Sequence, residues 1–216
     1  MAETGSTNTD LLEQPGPPHR TVLVAGHQTA GRGRLDRRWD APPGSNLLVS
    51  ILLRDVHDPP SALTQRVGVA VAQAVRALTG ADARLKWPND VVLKGRKLAG
   101  ILAQHVPGGP TVVGLGLNVE WAPEGAARLG IGVRPVDVLT ELLRQFDALP
   151  AAIDDRYRAL LDTLGRRVRV EAPGGEVIGT ALDVEPDGRL VVVDGCAISH
   201  RIDSGDVVHL RPADDG

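Results

Sequence analysis

Apolar residues recur at two different spacings along this chain, and the change from one to the other constrains the fold more than any other feature. Over 61–78 the positions Leu63, Val67, Ala70, Val71, Ala74, Val75 and Leu78 return every three to four residues and the run stops at Gly80, the pattern of an amphipathic helix laid on a sheet. Beyond Leu164 that spacing disappears. Short β runs at 167–171, 177–184, 190–193, 198–202 and 207–210 are broken by Pro173-Gly174-Gly175, Pro186-Asp187-Gly188, Asp194-Gly195 and Ser204-Gly205. Five strands in under fifty residues predict a small SH3-like barrel. A boundary near Gly165 therefore separates a larger unit, 1–164, from the barrel, 165–211, and leaves an acidic tail at 212–216.

The larger unit alternates signals. A short capped helix follows Ser6-Thr7-Asn8 and is stopped by Pro15-Gly16-Pro17-Pro18, and a strand restarts at 21–25. Residues 26–46 show no periodicity, and so long a loop is usually functional or disordered. Strands are predicted at 46–54, around Leu85, and at 91–93, 98–103 and 111–119, joined by hairpin-type turns such as Lys94-Gly95, and helical spacing returns at 136–149 and 153–164. The expected class is α/β in the α+β sense, a mixed sheet backed by helices, with the C-terminal barrel added. Aromatic residues make up only 2% of the chain, so Val, Leu, Ala and Ile must build its core.

Cys196 is the lone cysteine, which excludes an internal disulfide and a Cys-based zinc site; it is expected in the barrel core. The first six residues carry no basic region followed by an apolar one, and no apolar run approaches the ~18 residues of a membrane span, so a cytoplasmic protein is expected. Net charge is −3, with 18 basic and 17 acidic side chains in 1–164 and 6 against 8 in 165–211, so neither part is a nucleic-acid footprint. Basic charge is concentrated locally: Arg32, Arg34, Arg37 and Arg38 fall within seven residues and the three lysines, Lys86, Lys94 and Lys97, within twelve. Those clusters are where an anion would sit.

Three segments carry chemistry. Gly31-Arg32-Gly33-Arg34-Leu35-Asp36-Arg37-Arg38-Trp39 combines glycines that let backbone N–H groups converge with forked donors suited to carboxylate or phosphate. No Gly-Lys-Ser/Thr follows, so it is not a P-loop, and alone it reads more readily as a solvated charged loop than as an anion site. In Lys86-Trp87-Pro88-Asn89-Asp90 a hairpin begins whose return strand brings Lys97 back toward Asp90, placing a carboxylate fit for Mg²⁺ near two ammonium groups fit for phosphates. Taken alone, that segment is ordinary turn chemistry. Gly114-Leu115-Gly116-Leu117-Asn118-Val119 lacks the third glycine of a dinucleotide fingerprint and reads as a strand approached closely by another chain or a ligand. Among the histidines only His27, beside the Arg segment, is a candidate, and a supporting or surface position suits it better.

Taken in order, Glu3-Thr4-Gly5-Ser6-Thr7-Asn8, Gln28-Thr29-Ala30-Gly31-Arg32-Gly33-Arg34, Arg37-Arg38-Trp39, Lys86-Trp87-Pro88-Asn89-Asp90, Lys97-Leu98-Ala99-Gly100-Ile101-Leu102 and Gly116-Leu117-Asn118-Val119, ahead of a small β domain, resemble the biotin protein ligases over nearly the whole chain. The resemblance implies ATP-dependent formation of biotinyl-5′-AMP and transfer of biotin to a lysine of a biotin carboxyl carrier domain, with Mg²⁺ accompanying ATP. It places Ser6, Thr7 and Gln28 on the ureido ring of biotin, with Asn8, Gly31, Gly100 and Leu102 in the same substrate set. Arg32 and Arg34 correspond to arginines that order the loop over the biotin tail, and Lys97 to the lysine contacting the carboxylate and the α-phosphate. Lys97 and Arg34 are the implied catalytic pair; Arg34, Arg37, Trp39, Lys86, Asn89, Asp90 and Asn118 form the nucleotide side, with Asp90 as the metal ligand.

The sequence departs from the family pattern at Asp36, which stands where glycine is usual, in the curtailed strand before Ser6, and in the compact stretch between Asn118 and Val138. Three other readings compete. A lipoate or octanoate ligase of related fold has no ureido ring for Ser6, Thr7 and Gln28 to satisfy. A nucleic-acid module is opposed by the barrel's acidic balance and the scarcity of aromatic residues, and a biotin-responsive repressor is not expected because the few residues ahead of Ser6 do not hold a helix-turn-helix.

Overall fold

The computed structural model describes residues 1–35, 37–54, 59–172 and 174–210. Asp36, Pro173 and the acidic tail, each singled out by the sequence, lie outside the described residues. Along the chain come β1 (Glu3–Thr4), α1 (Thr7–Glu13), β2 (Val22–Ala25), β3 (His27–Gln28), β4 (Leu47–Leu53), α2 (Pro60–Thr79), β5 (Ala83–Lys86), β6 (Asp90–Leu93), β7 (Arg96–His105) and β8 (Thr111–Leu117). After them follow α3 (Pro135–Asp147), α4 (Asp154–Leu160), β9 (Arg167–Ala172), β10 (Gly175–Val184), β11 (Leu190–Asp194), β12 (Ser199–Ile202) and β13 (Asp206–His209).

Six strands form the main sheet in the order β2-β4-β8-β7-β6-β5, with antiparallel pairs throughout, while β1 and β3 pair in parallel beside it. Helix α2 starts with Pro60 at its first position, where the missing N–H has no helical partner to lose, and stops at Gly80 with φ +69°. Its predicted apolar face is buried against the sheet except at its last position, Leu78, which is exposed: Leu63, Val67, Ala70, Val71, Ala74 and Val75 join Val49, Ile51, Val91, Ala99, Ile101, Val113 and Leu115 in one core. Every residue of β4 is buried, because the face turned away from α2 is covered too: Leu52 packs with Val112 and with Leu11 of α1. That second face carries the site.

β-Strand alternation sets two rows across it. Ser50, Gly114 and Leu102 are neighbours in one row, and Leu48, Gly116, Gly100 and Asp90 in the next.

The C-terminal strands form an antiparallel sheet of five in the order β12-β11-β10-β9-β13. Only Asp203, Ser204 and Gly205 separate Ile202, the end of one outer strand, from Asp206, the start of the other. Four Cα steps span at most about 14 Å, whereas the outer strands of a flat five-stranded sheet lie about 19 Å apart. The sheet must therefore roll toward the SH3-like shape expected from the strand spacing. It is seated on the main sheet through Trp87, 2% exposed, whose Nε1–H donates to the Gly188 carbonyl at 3.0 Å and whose backbone N–H donates to Thr163 Oγ1 at 3.0 Å.

The structure changes three local expectations. Helix α4 stops at Leu160 instead of running to 164, because Leu161 bridges to Leu85 and the Asp162 N–H donates to the Leu85 carbonyl at 2.7 Å. Cys196 is exposed and not in the core: it sits in a turn where Asp194 Oδ1 accepts from the N–H groups of Cys196 and Ile198. The 26–46 segment contains β3 and an Arg32–Arg38 bridge.

Candidate active site

A cavity of about 640 Å³ opens over the second face of the main sheet, between α1, the 31–39 loop and β13. Its floor is low because of glycine. A Cβ on Gly114 would stand 2.3 Å from Asn8 Oδ1, and one on Gly116 would stand 2.3 Å from the Trp39 ring, which also covers Gly100. The close approach predicted for Gly114 and Gly116 is thus made by Asn8 and Trp39 of the same chain. Ser6, Thr7, Asn8, Gln28, Gly100 and Leu102 all face the cavity.

At one end the polar groups are locked together. Both the backbone N–H and the hydroxyl of Thr7 reach Gln28 Oε1, at 2.8 and 2.9 Å, and the same hydroxyl lies 2.7 Å from Ser50 Oγ. Ser50 donates to Asn8 Oδ1 at 2.5 Å, and Asn8 Nδ2 donates to the Leu102 carbonyl at 3.2 Å and to Gln104 Oε1 at 2.7 Å. Ser6 precedes α1 in an extended conformation without a capping bond from its side chain, and it lines the cavity. Sequence reasoning missed Ser50 and Gln104. Ser50 had a signal, a single hydroxyl in the apolar run Leu47-Leu48-Val49-Ser50-Ile51-Leu52-Leu53.

Cations gather at the other end. The Lys94-Gly95 turn has positive φ at both residues, as a two-residue hairpin loop of this hand requires, and it sends β7 back along β6. Lys97 and Gly100 are three residues apart, so strict alternation would put them on opposite faces. A register shift between Val91 and Val92 cancels this, and Lys97 Nζ lies over Gly100, 2.7 Å from Asp90 Oδ1 and 5.7 Å above the Trp39 ring. Arg34 donates from Nη1 to Asn89 Oδ1 and to the Gly205 carbonyl, both at 3.3 Å, while Asn89 Nδ2 holds the Ile101 carbonyl at 2.8 Å. Burial lowers the pKa of Arg34 from the usual arginine value, against the opposing pull of Asp206 and Asp90. Arg37 pairs with Asp206, and Arg32, Trp39 and Lys86 complete this wall.

Two expected site residues stand differently. Gly31 does not line the cavity; its carbonyl accepts the Trp39 N–H at 3.0 Å, and a Cβ there would meet the Trp39 carbonyl at 2.3 Å, so it closes the neck of the loop. Asn118 reaches the wall, but its amide is engaged inside the protein, donating to the Ala127 carbonyl at 2.9 Å and accepting from Asn46 at 3.3 Å. It ties the segment bearing Trp121, Pro123 and Ala126 to the sheet. His27, off the cavity wall, pairs with Glu3 at 2.8 Å. The described residues contain no cluster of three or more His, Cys, Asp or Glu side chains able to hold a metal ion. Asp90 and Asp206 suit a cation that arrives with phosphate oxygens, since Mg²⁺ is commonly held by one or two carboxylates plus phosphates.

This arrangement has relatives. The Biotin/lipoate A/B protein ligase family pattern matches residues 2–118 and the Biotin protein ligase C terminal domain matches 163–210. A biotin--[acetyl-CoA-carboxylase] ligase of Mycobacterium tuberculosis is 42% identical over 98% of this chain and 88% of its own length. One from Paracoccus denitrificans is 37% identical over 76% of this chain and 74% of its own. A biotin protein ligase from Aquifex aeolicus, solved in complex with biotin and ATP, superposes with a TM-score of 0.83 at 26% identity, covering 98% of this chain and 97% of that one. With one sequence pattern spanning more than half of the residues and a relative so similar across almost all of them, the chain belongs to the biotin protein ligase family.

Proposed function

We propose that the protein activates biotin with ATP and ligates it to a lysine of a biotin carboxyl carrier domain. The observation that carries this reading is that one cavity joins a locked polar end, suited to a small rigid polar ring, to a cationic end suited to phosphates. In the first step a biotin carboxylate oxygen attacks the α-phosphorus of ATP, forming biotinyl-5′-AMP as pyrophosphate leaves. In the second the carrier amine attacks the acyl carbon, AMP leaves with the bonding electrons, and the amine loses a proton.

Ser6, Thr7 and Gln28 bind the ureido ring, with Asn8 behind them and Gly100 and Leu102 along the ring and tail. Lys97 leaves Asp90 to neutralise charge at the carboxylate and α-phosphate, and Asp90, freed, joins Lys86 on the Mg²⁺-ATP side. Arg32 and Arg34 close the loop over the tail, Arg37 meets phosphate, Trp39 and Asn89 shape the nucleotide wall, and Asn118 fixes the adenine-side segment. No enzyme nucleophile is needed; positioning and charge stabilisation carry the rate. The division at 164/165, which makes the C-terminal module a separate unit closing this site, belongs to the same proposal, as does action in the cytoplasm. No helix among the described residues is long and apolar enough to cross a membrane.

The names of the relatives and the polar set at Thr7 favour biotin over lipoate, whose dithiolane offers no N–H or carbonyl to that set. The test is mass spectrometry of the protein incubated with biotin and Mg²⁺-ATP, then with a carrier domain. Bound biotinyl-AMP followed by a biotinylated carrier supports the proposal. Adenylation of lipoate in preference to biotin would sink it.

A further inference from the structure

The buried chain Gln28–Thr7–Ser50–Asn8 contains three oxygen–oxygen contacts but only two hydroxyl hydrogens, one on Thr7 and one on Ser50. Neither end can supply a third. The Thr7 backbone N–H at 2.8 Å requires the oxygen of the Gln28 amide to face Thr7, and the Leu102 carbonyl at 3.2 Å requires the nitrogen of the Asn8 amide to face away from Ser50. Ser50, wholly buried on β4, commits its hydrogen to Asn8 Oδ1, an acceptor, at 2.5 Å. The Thr7 hydrogen must then serve either Ser50 or Gln28, and one of those contacts goes without. An incoming ligand therefore finds surplus lone pairs at Thr7 Oγ1 and Gln28 Oε1.

We propose that Ser50 is a positioning residue which, by directing its own hydrogen to Asn8 and drawing on that of Thr7, leaves the Thr7–Gln28 end of the cavity one donor short and so selects a ligand that presents an N–H group there. This rests on the biotin reading, where the ureido ring supplies both N–H groups and a carbonyl. It goes beyond that reading by giving Ser50, which does not line the cavity, control over which lone pairs at Thr7 Oγ1 and Gln28 Oε1 are left for that N–H. In Ser50→Ala the Thr7 hydrogen passes wholly to Gln28 Oε1, which then holds two donors, and the preference for a ligand N–H weakens.

Dissociation constants decide it, measured by calorimetry on the full chain for biotin and for two isosteric cyclic carbamates, each with one ureido N–H replaced by oxygen. The wild type is expected to prefer biotin to one of the carbamates by about tenfold, the worth of a single net hydrogen bond. In Ser50→Ala that ratio is expected to fall severalfold while ATP binding holds. General damage would weaken biotin and carbamate alike and leave the ratio unchanged. Ser50→Cys, whose thiol is a weak donor of similar shape, reads the same ratio if the alanine variant does not fold. An unchanged ratio in the folded variant, or a wild type that binds both carbamates as well as biotin, overturns the proposal. Failure of the wild type to form biotinyl-AMP refutes the biotin reading instead.

Discussion

At the Thr7 end of the cavity every polar side chain in the Thr7–Ser50–Asn8 chain is buried and bonded to sheet or helix, whereas at the Arg34 end the loop reaches the rest of the protein through arginine side chains that are themselves half-buried or exposed. Arg34 reaches its two acceptors at 3.3 Å, and the Arg37 side chain that pairs with Asp206 is 66% exposed, a pair of the kind that contributes about 0–1 kcal/mol. On the proposed function, the first end is expected to present fixed hydrogen-bonding groups and the second to open and close. A ligase with a reactive acyl intermediate needs both, and each can be broken separately.

The largest effect is expected where the two ends meet. Lys97→Met removes the ammonium that lies over Gly100, which in the proposed mechanism neutralises charge at the α-phosphate; adenylate formation should drop by about a hundredfold to a thousandfold. Pyrophosphate exchange measures this, with circular dichroism as the check on folding. Exchange at the wild-type rate would remove Lys97 from the mechanism.

Next comes the rigid end. Gly114→Ala puts a methyl group 2.3 Å from Asn8 Oδ1, and Asn8 cannot retreat without giving up Ser50, Leu102 and Gln104. The Michaelis constant for biotin should rise by about tenfold or more and that for ATP change little, with a loss of about 1–3 kcal/mol in stability from overpacking. Equal changes in both constants would mean that the floor is not dedicated to one substrate.

These two residues also mark how far the sequence could be read. The helix over α2, the hairpins through Lys94-Gly95 and the β runs of the C-terminal module were legible, because they rest on periodicity and turn chemistry, both local. The return of Lys97 toward Asp90 was legible in that hairpin too, but the register shift that also sets it over Gly100 was not, since no residue type announces a bulge there. Ser50 was overlooked because its meaning comes from Thr7 and Asn8, more than forty residues away in sequence. Asp206 was missed for the same reason: it meets Arg37 only because the second sheet rolls back onto the first.

The seam between the modules should show a smaller, pH-dependent effect. Burial first, then the positive charges of Lys86 and Arg166, outweigh Asp162 and push His209 from 6.5 down to about 4. A histidine kept neutral in the fold takes up its proton more readily when unfolded, so stability is full above about pH 6.5 and declines as pH falls toward 4. His209→Asn should flatten the fall in melting temperature across that window by a few degrees, on the order of 1 kcal/mol once partial exposure is allowed for. A slope identical to wild type would place the acid sensitivity elsewhere.

The smallest effect on the first step, and the most telling for the Arg34 end, is expected from Arg34→Gly. Lys97, the polar set proposed to bind the ureido ring and the glycine floor stay in place, so biotinyl-AMP should still form. What is lost is the guanidinium that joins the loop to Asn89 and to the Gly205 carbonyl, and what is gained is backbone freedom, both of which favour an open loop. The intermediate is a mixed anhydride that water and stray amines attack, and a closed loop protects it by excluding them. The variant should therefore release biotinyl-AMP and label lysines on unrelated proteins. Wild type and variant are incubated with biotin, ATP and an inert lysine-rich protein, then probed with streptavidin. Stronger bystander labelling by Arg34→Gly is the expected result, and it should subside when a competing small amine is added. Equal labelling by two enzymes that both form the adenylate would show that the loop's hold on the second module does not retain the intermediate, and that the two ends of the cavity differ in contacts but not in function.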